Sequence, residues 1–88
     1  MKTAFVLMAQ YDGLAVIPVE RVCADYFAPL TVAKFLEKTL SGDIALPVVR
    51  MYGSQKAAKG VHLNDLAAYL DKQADLARKE MGQLAKAG

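Results

Sequence analysis

The side chains that carry most enzyme and metal chemistry are scarce in this sequence. It contains one cysteine, Cys23, and one histidine, His62. A structural zinc site needs about four ligands, usually cysteine and histidine, and a nucleophilic triad needs a histidine held between two partners. A single cysteine also excludes a disulfide within the chain, which favours a reducing, cytoplasmic compartment. We therefore expect no enzyme, no metal site and no cofactor, with Cys23 in the core and His62 as a structural cap.

The basic side chains are the second group of residues that could carry a function, and they are unevenly distributed along the chain. The 88-residue chain has a net charge of only +2, yet residues 31–62 carry five basic and two acidic residues, a net charge of +3, and the remainder carries −1. Cations near phosphates give nucleic-acid affinity that is sensitive to salt and independent of base sequence. The cluster therefore predicts a DNA-binding face. Its basic members are Lys34, Lys38, Arg50, Lys56 and Lys59.

Two short helices are predicted to position the first part of this cluster. In residues 18–27 the apolar side chains recur at helical spacing, behind a proline suited to the first helical position. Thr31 predicts the N-cap and Gly42 the C-cap of a second helix. Two such helices joined by about three residues are typical of a helix-turn-helix. The expected apolar face of the second helix comprises Val32, Phe35, Leu36, Thr39 and Leu40.

A β-hairpin is predicted to carry the rest of the cluster. Residues 44–52 and 61–63 are rich in β-branched and apolar side chains, and they enclose an eight-residue segment bounded by Gly53 and Gly60. A hairpin that directly follows a helix-turn-helix is a wing. We interpret Lys56 and Lys59 as loop residues of this wing, which would contact the DNA backbone. Upstream, residues 3–11 are interpreted as a short helix and residues 15–17 as a strand.

A long C-terminal helix is predicted from Leu63 onward, because apolar residues recur every three or four positions. Leu63, Leu66 and Leu70 are expected in the core of a domain spanning residues 1–72, and Asp75 and Lys79 are expected to form an ion pair. The stripe continues through an extension over residues 73–88, where it predicts a self-association surface; the alternative is a tail that is frayed or paired only in a crystal. The residues of this predicted surface are Ala74, Ala77, Met81 and Leu84.

Several stretches of the chain together resemble the pyocin activator protein (PrtN) family. They are residues 3–11, 16–18, 25–27, 45–50, 54–56 and 60–67. The resemblance implies a small prokaryotic or phage-type transcriptional activator that binds DNA upstream of genes for phage-tail-like bacteriocins. It also implies an α+β, mainly α fold, a winged helix-turn-helix close to those of excisionases and the MerR class. It places DNA contacts on Arg50, Ser54, Gln55 and Lys56.

The expected partners are double-stranded DNA, RNA polymerase and further copies of the chain in a homodimer or higher homo-oligomer. No membrane partner is expected, and the expected location is cytoplasmic and nucleoid-associated. Two other functions use the same sequence features. An excisionase-like architectural protein would bend DNA to direct recombination, and a protein-interaction adaptor would use the terminal helix alone. The lysines of the second helix are equally consistent with a solvated surface. The full set of candidate DNA contacts is Thr31, Lys34, Lys38, Arg50, Ser54, Gln55, Lys56 and Lys59.

Overall fold

Four helices and three short strands make up the computed structural model, which describes residues 2–54 and 56–87 and the side chains as far as residue 84. The elements are α1 (Thr3–Gln10), β1 (Val16–Pro18), α2 (Val19–Tyr26), α3 (Val32–Ser41), β2 (Val49–Arg50), β3 (Lys59–His62) and α4 (Leu63–Ala87). The protein is thus mainly helical, with a small sheet and a long C-terminal helix. The helices predicted near residues 3–11, 18–27, 31–41 and from residue 63 onward are confirmed.

The strand predicted over residues 44–52 is much shorter, since only Val49–Arg50 is extended and paired. Ile44 and Leu46 are instead buried in an irregular segment that leads into the strand. The backbone N–H of Ile44 donates to the carbonyl of Lys38, and the N–H of Leu46 donates to Ile44. These local bonds, and the missing N–H of Pro47, leave few backbone donors for a longer ladder.

The three strands form an antiparallel sheet in the order β1-β3-β2. Strand β3 lies in the middle, so that Val61 pairs with Ile17 on one side and Gly60 pairs with Val49 on the other. Ile17 and Val61 are fully buried beneath the helices. Because β3 ends at His62 and α4 begins at Leu63, the central strand leads directly into the longest helix.

The core lies between the helices and the inner face of the sheet. It combines Leu7 of α1, Val22 of α2, Phe35 of α3 and Leu66 of α4, each at most 1% exposed. Cys23 is buried as predicted, and its thiol donates a hydrogen bond to the carbonyl of Leu30. Among the described residues no charged side chain is buried. Packing of apolar side chains therefore supplies most of the stability.

A polar cluster joins the C-terminal end of α1 to α2. The hydroxyl of Tyr11 donates to Asp25 Oδ2 at 2.6 Å, and the guanidinium of Arg21 lies 4.7 Å from the centroid of the Tyr11 ring. Beside them the Tyr26 hydroxyl donates to Gln10 Oε1 at 2.6 Å. Burial of Tyr11 and its hydrogen bond to the Asp25 carboxylate raise the pKa of the Tyr11 hydroxyl well above its ordinary value.

We expect Tyr11→Phe to lower the free energy of unfolding by about 1 kcal/mol at neutral pH, because one hydrogen bond to a carboxylate is lost. The raised pKa of Tyr11 makes its stabilisation complete below pH 10, the ordinary value, and progressively lost as pH rises toward the folded-state pKa. The variant should therefore lose stability less steeply above pH 10 than the wild type. Urea unfolding monitored by circular dichroism between pH 7 and 11 measures both effects.

Tyr52→Phe is the matched control, because the Tyr52 ring is 61% exposed. Parallel alkaline slopes for the wild type and Tyr11→Phe would contradict the assignment.

Candidate nucleic-acid interface

Helices α2 and α3 pack against each other at the turn that connects them. The Phe27 ring, at the end of α2, lies 4.8 Å from the ring of Phe35, and the N–H of Leu30 donates to the carbonyl of Phe27. The start of α2 differs from the prediction by one residue, because Pro18 occupies the N-cap and also ends β1. The pairing of Pro18 with Gly60 holds it in extended backbone, so the helix begins at Val19.

Helix α3 has both caps that the sequence predicted. Thr31 Oγ1 accepts a hydrogen bond from the N–H of Lys34 at 3.2 Å, and Gly42 closes the helix with a φ of 88°. Left-handed backbone of this kind is accessible to glycine at little cost. The hydroxyl of Thr31 therefore holds the start of α3, and its contact with a DNA phosphate stays a prediction.

The exposed face of α3 differs from the predicted one at Leu40. Phe35 is buried, whereas Leu40 is 89% exposed, so its assignment to the apolar face is wrong. Leu40 follows Phe35 by five residues, which places it about 140° around the helix from the core. The outward surface of α3 consists of Ala33, Lys34, Glu37, Leu40 and Ser41.

Lys34 and Lys38 form one flank of this outward surface. Lys34 Nζ lies 3.5 Å from Glu37 Oε2, with both side chains more than 60% exposed. A surface ion pair of this kind contributes about 0–1 kcal/mol, so it restrains the lysine little. Lys38 is half-buried at the edge of the same flank. The solvated-surface interpretation and the phosphate-binding interpretation are both compatible with this arrangement.

Arg50 and Lys59 form the opposite flank. They pair across β2 and β3, and they line a groove of about 270 Å³ together with Leu36 and Thr39 of α3. The placement of Lys59 in the hairpin loop is therefore wrong, because the residue lies in strand β3. The pairing of Arg50 with Lys59 extends the ladder by one step and shortens the loop. Arg50 itself is exposed.

The loop between β2 and β3 is held by its own hydrogen bonds. Ser54 Oγ accepts from the N–H of Lys56 at 3.1 Å, and the carbonyl of Ser54 accepts from the N–H of Ala57. Ala57 is only 4% exposed, so it fastens the loop to the body of the domain, and Lys56 is exposed. Ser54 has a structural role here in addition to its predicted DNA contact. Gln55 lies outside the described residues.

Two large apolar side chains in this loop were not predicted as functional. Met51 is 58% and Tyr52 is 61% exposed, although the composition of the segment suggested a half-buried strand. The signal that would have identified them is their position directly before Gly53, where the chain must turn. A long apolar side chain at the tip of a hairpin has no core against which to pack.

His62, the remaining candidate residue, has a structural role in the fold. His62 Nδ1 accepts a hydrogen bond from the N–H of Asn64 at 3.1 Å, so the imidazole caps the start of α4 as predicted. Within residues 2–54 and 56–87, no group of histidine, cysteine and carboxylate side chains is arranged to hold a metal ion. Over the same ranges, no helix has the length and apolar character needed to cross a membrane.

The distal half of α4 continues the apolar stripe of its buried half. Ala74 is half-buried, Ala77 is exposed, and both Met81 and Leu84 are 68% exposed. The ion pair on this helix joins Asp75 to Arg78, at 2.8 Å, instead of to the predicted Lys79. The three-residue spacing brings the guanidinium within reach of the carboxylate.

Comparison with known proteins identifies the family. The family model for the pyocin activator protein PrtN matches residues 3–77. The chain belongs to this family. The match includes α3, the hairpin and the first half of α4, and it points to a regulatory instead of an enzymatic protein. Searches of curated proteins and of solved structures returned no match.

The position of the hairpin relative to β1 depends on a close approach of backbone at Gly60. A Cβ atom at this residue would lie 2.5 Å from Val16 Cγ1 and 2.9 Å from the carbonyl oxygen of Ile17. The first contact involves a side chain that can rotate, but the second involves the backbone of β1. Any larger residue must therefore separate the strands.

We expect Gly60→Ala to lower the free energy of unfolding by about 1–3 kcal/mol, because the added methyl overpacks the junction of β1 and β3. Gly53→Ala is the matched control in the same hairpin, since a Cβ there meets no atom within 4 Å. Thermal unfolding of the two variants measures the difference. Equal melting temperatures would show that the strands can separate without cost.

Proposed function

We propose that this protein is a DNA-binding transcriptional activator of pyocin-type bacteriocin or prophage genes. In this proposal α2 and α3 act as a helix-turn-helix, with α3 in the major groove, and the β2–β3 hairpin acts as a wing on the adjacent backbone. Binding upstream of a promoter would bring the protein within reach of RNA polymerase. The family supports the activator role, and the basic residues of α3 and the hairpin support DNA as the partner.

The observation that carries the proposal is the placement of cations on both flanks of α3. Lys34 and Lys38 lie on one side of its outward surface, and Arg50 and Lys59 line the groove on the other side. A helix in the major groove lies between two phosphate backbones. Cations on both flanks can therefore neutralise phosphates of both strands, while the outward surface of α3 faces the base edges.

The side chains of the candidate interface suit two different roles. Arg50 can donate two hydrogen bonds to guanine, and Gln55 can form a bidentate pair with adenine. Lys34, Lys38 and Lys56 suit phosphates, because a lysine is a point charge on a flexible stem. An excisionase-like role would use the same contacts, and the family favours activation over recombination.

The first test is selection of binding sites from a random duplex library, followed by gel-shift titration at several salt concentrations. We expect the affinity of the wild type to fall steeply as salt rises. Lys56→Ala should weaken binding to all sequences and reduce the slope of log affinity against log salt by about 0.9. Arg50→Ala should instead relax the preference at one base pair, at a cost of about 1–3 kcal/mol.

Lys72→Ala is the control for these variants, because Lys72 is an exposed lysine on α4 outside the candidate interface. Binding that does not weaken with salt, or that survives charge reversal of Lys34, Lys38, Lys56 and Lys59, would contradict DNA binding. That result would favour the adaptor function.

We also propose that the distal half of α4 joins two copies of the chain. The 25-residue helix is about 37 Å long, and only its first part packs against the domain. Its stripe continues past Leu70 along the same face through Ala77, Met81 and Leu84, which are exposed in one copy. Burial of this stripe against a second copy would remove apolar surface from water and place two recognition helices on neighbouring half-sites.

Leu84→Glu should shift the protein toward the monomer, because it places a charge within the stripe. Gln83→Glu adds the same charge at the neighbouring position, which lies about 100° around the helix and off the stripe. Sedimentation velocity over a range of concentrations distinguishes the two variants. A wild type that stays monomeric, or an equal effect of both substitutions, would assign the distal helix to another role.

A further inference from the structure

The tip of the β2–β3 hairpin combines exposed apolar side chains with basic residues nearby in the chain. Residues 44–64 contain no acidic residue, and they include Arg50, Lys56 and Lys59. Within this segment Met51 and Tyr52 are adjacent and similarly exposed, at 58% and 61%. The hydrogen bonds of the loop and the burial of Ala57 attach the loop to the body of the domain. Exposed apolar side chains near cations are suited to a partner that offers both apolar surface and negative charge.

Met51 and Tyr52 have different surroundings on the hairpin. Arg50 lines the groove shared with α3, whereas Met51 lines a second groove with Val16 and Pro18 on the outer face of the sheet. The N–H of Met51 donates to the carbonyl of Ala58, which joins the two sides of the hairpin just beyond the strands. Tyr52 follows in the bend beyond the strand, and it lines neither groove.

We propose that Tyr52 contacts DNA directly, packing its ring against the sugars and base edges beside the phosphates that Arg50 and Lys56 neutralise. This inference rests on the proposed DNA-binding function and adds an uncharged contact to it. A phenol suits the position, because its ring covers apolar sugar and base surface and its hydroxyl stays hydrated. Double-stranded DNA is favoured over a lipid surface because the hairpin that carries the ring also carries Arg50, which lines the groove beside α3, and because two side chains offer too little apolar area to anchor a protein to a bilayer.

The experiment compares Tyr52→Ala, Tyr52→Phe and Met51→Ala by gel shift on the duplex selected with the wild type. We expect Tyr52→Ala to weaken binding about tenfold, a typical loss for an aromatic contact with a base. The salt dependence should stay unchanged, because no phosphate contact is removed. Tyr52→Phe and Met51→Ala should bind within about twofold of the wild type. Met51 is the matched control, equal in exposure and adjacent in sequence.

A second measurement uses the unsubstituted protein and does not depend on the folding of a variant. Nitration with tetranitromethane, read by mass spectrometry, should modify Tyr52 in the free protein and much less at saturating DNA. The exposed fraction of Tyr26 is 37%, and this residue lies on α2 at the junction with α1, so its modification should be the same in both states.

The outcomes separate this inference from the function on which it rests. A wild type that binds no duplex would overturn DNA binding itself. A wild type that binds, together with unchanged affinity for Tyr52→Ala or unprotected Tyr52, would overturn only the Tyr52 contact. An equal loss for Met51→Ala would show a general effect of the loop and also overturn it. Loss of binding to phosphatidylglycerol vesicles by Tyr52→Ala, with DNA affinity unchanged, would assign the residue to a lipid surface.

Discussion

Strand β3 is the constraint on which the placement of the other elements depends. It pairs with β1 on one edge and with β2 on the other, and it runs without interruption into α4. Because Gly60 has no side chain, β1 approaches β3 more closely than a methyl group at this position would allow. The same strand therefore determines where the hairpin lies, where α2 begins and in which direction α4 extends from the domain.

The residues that stabilise the fold differ from the candidate DNA contacts. The described core contains no buried charge, and its largest side chains come from all four helices and from the sheet. The basic residues of α3 and the hairpin lie at its edge, where removing one costs little packing. Under the proposed function, affinity for DNA would therefore change with single substitutions while the fold stays intact. The polar cluster of Tyr11 and Asp25 is different, because it holds α1 against α2 on a side that carries none of the candidate contacts.

Local sequence patterns predicted the helices and their caps well. The Thr31 cap, the Gly42 cap and the His62 cap each depend on groups within three residues of one another, so short-range chemistry is sufficient to specify them. The errors concern contacts between distant parts of the chain. Leu40 fits an apolar pattern but lies outside the arc that the sheet and α2 can cover. Lys59 belongs to a strand because Arg50 pairs with it. The exposure of Tyr52 was not predicted, because an aromatic residue in a β-rich segment usually packs inward.

By itself, the sequence determined the kinds of element, their order, the location of the positive charge and the family resemblance. These follow from periodicity, capping residues and composition, which are properties of neighbouring residues. Only the tertiary structure decided that Arg50 and Lys59 share a groove with α3, that β3 is the central strand, and that Met51 and Tyr52 stand exposed on the hairpin. The physical reason is that strand register and burial depend on pairing between segments far apart in the chain, which a local pattern does not encode.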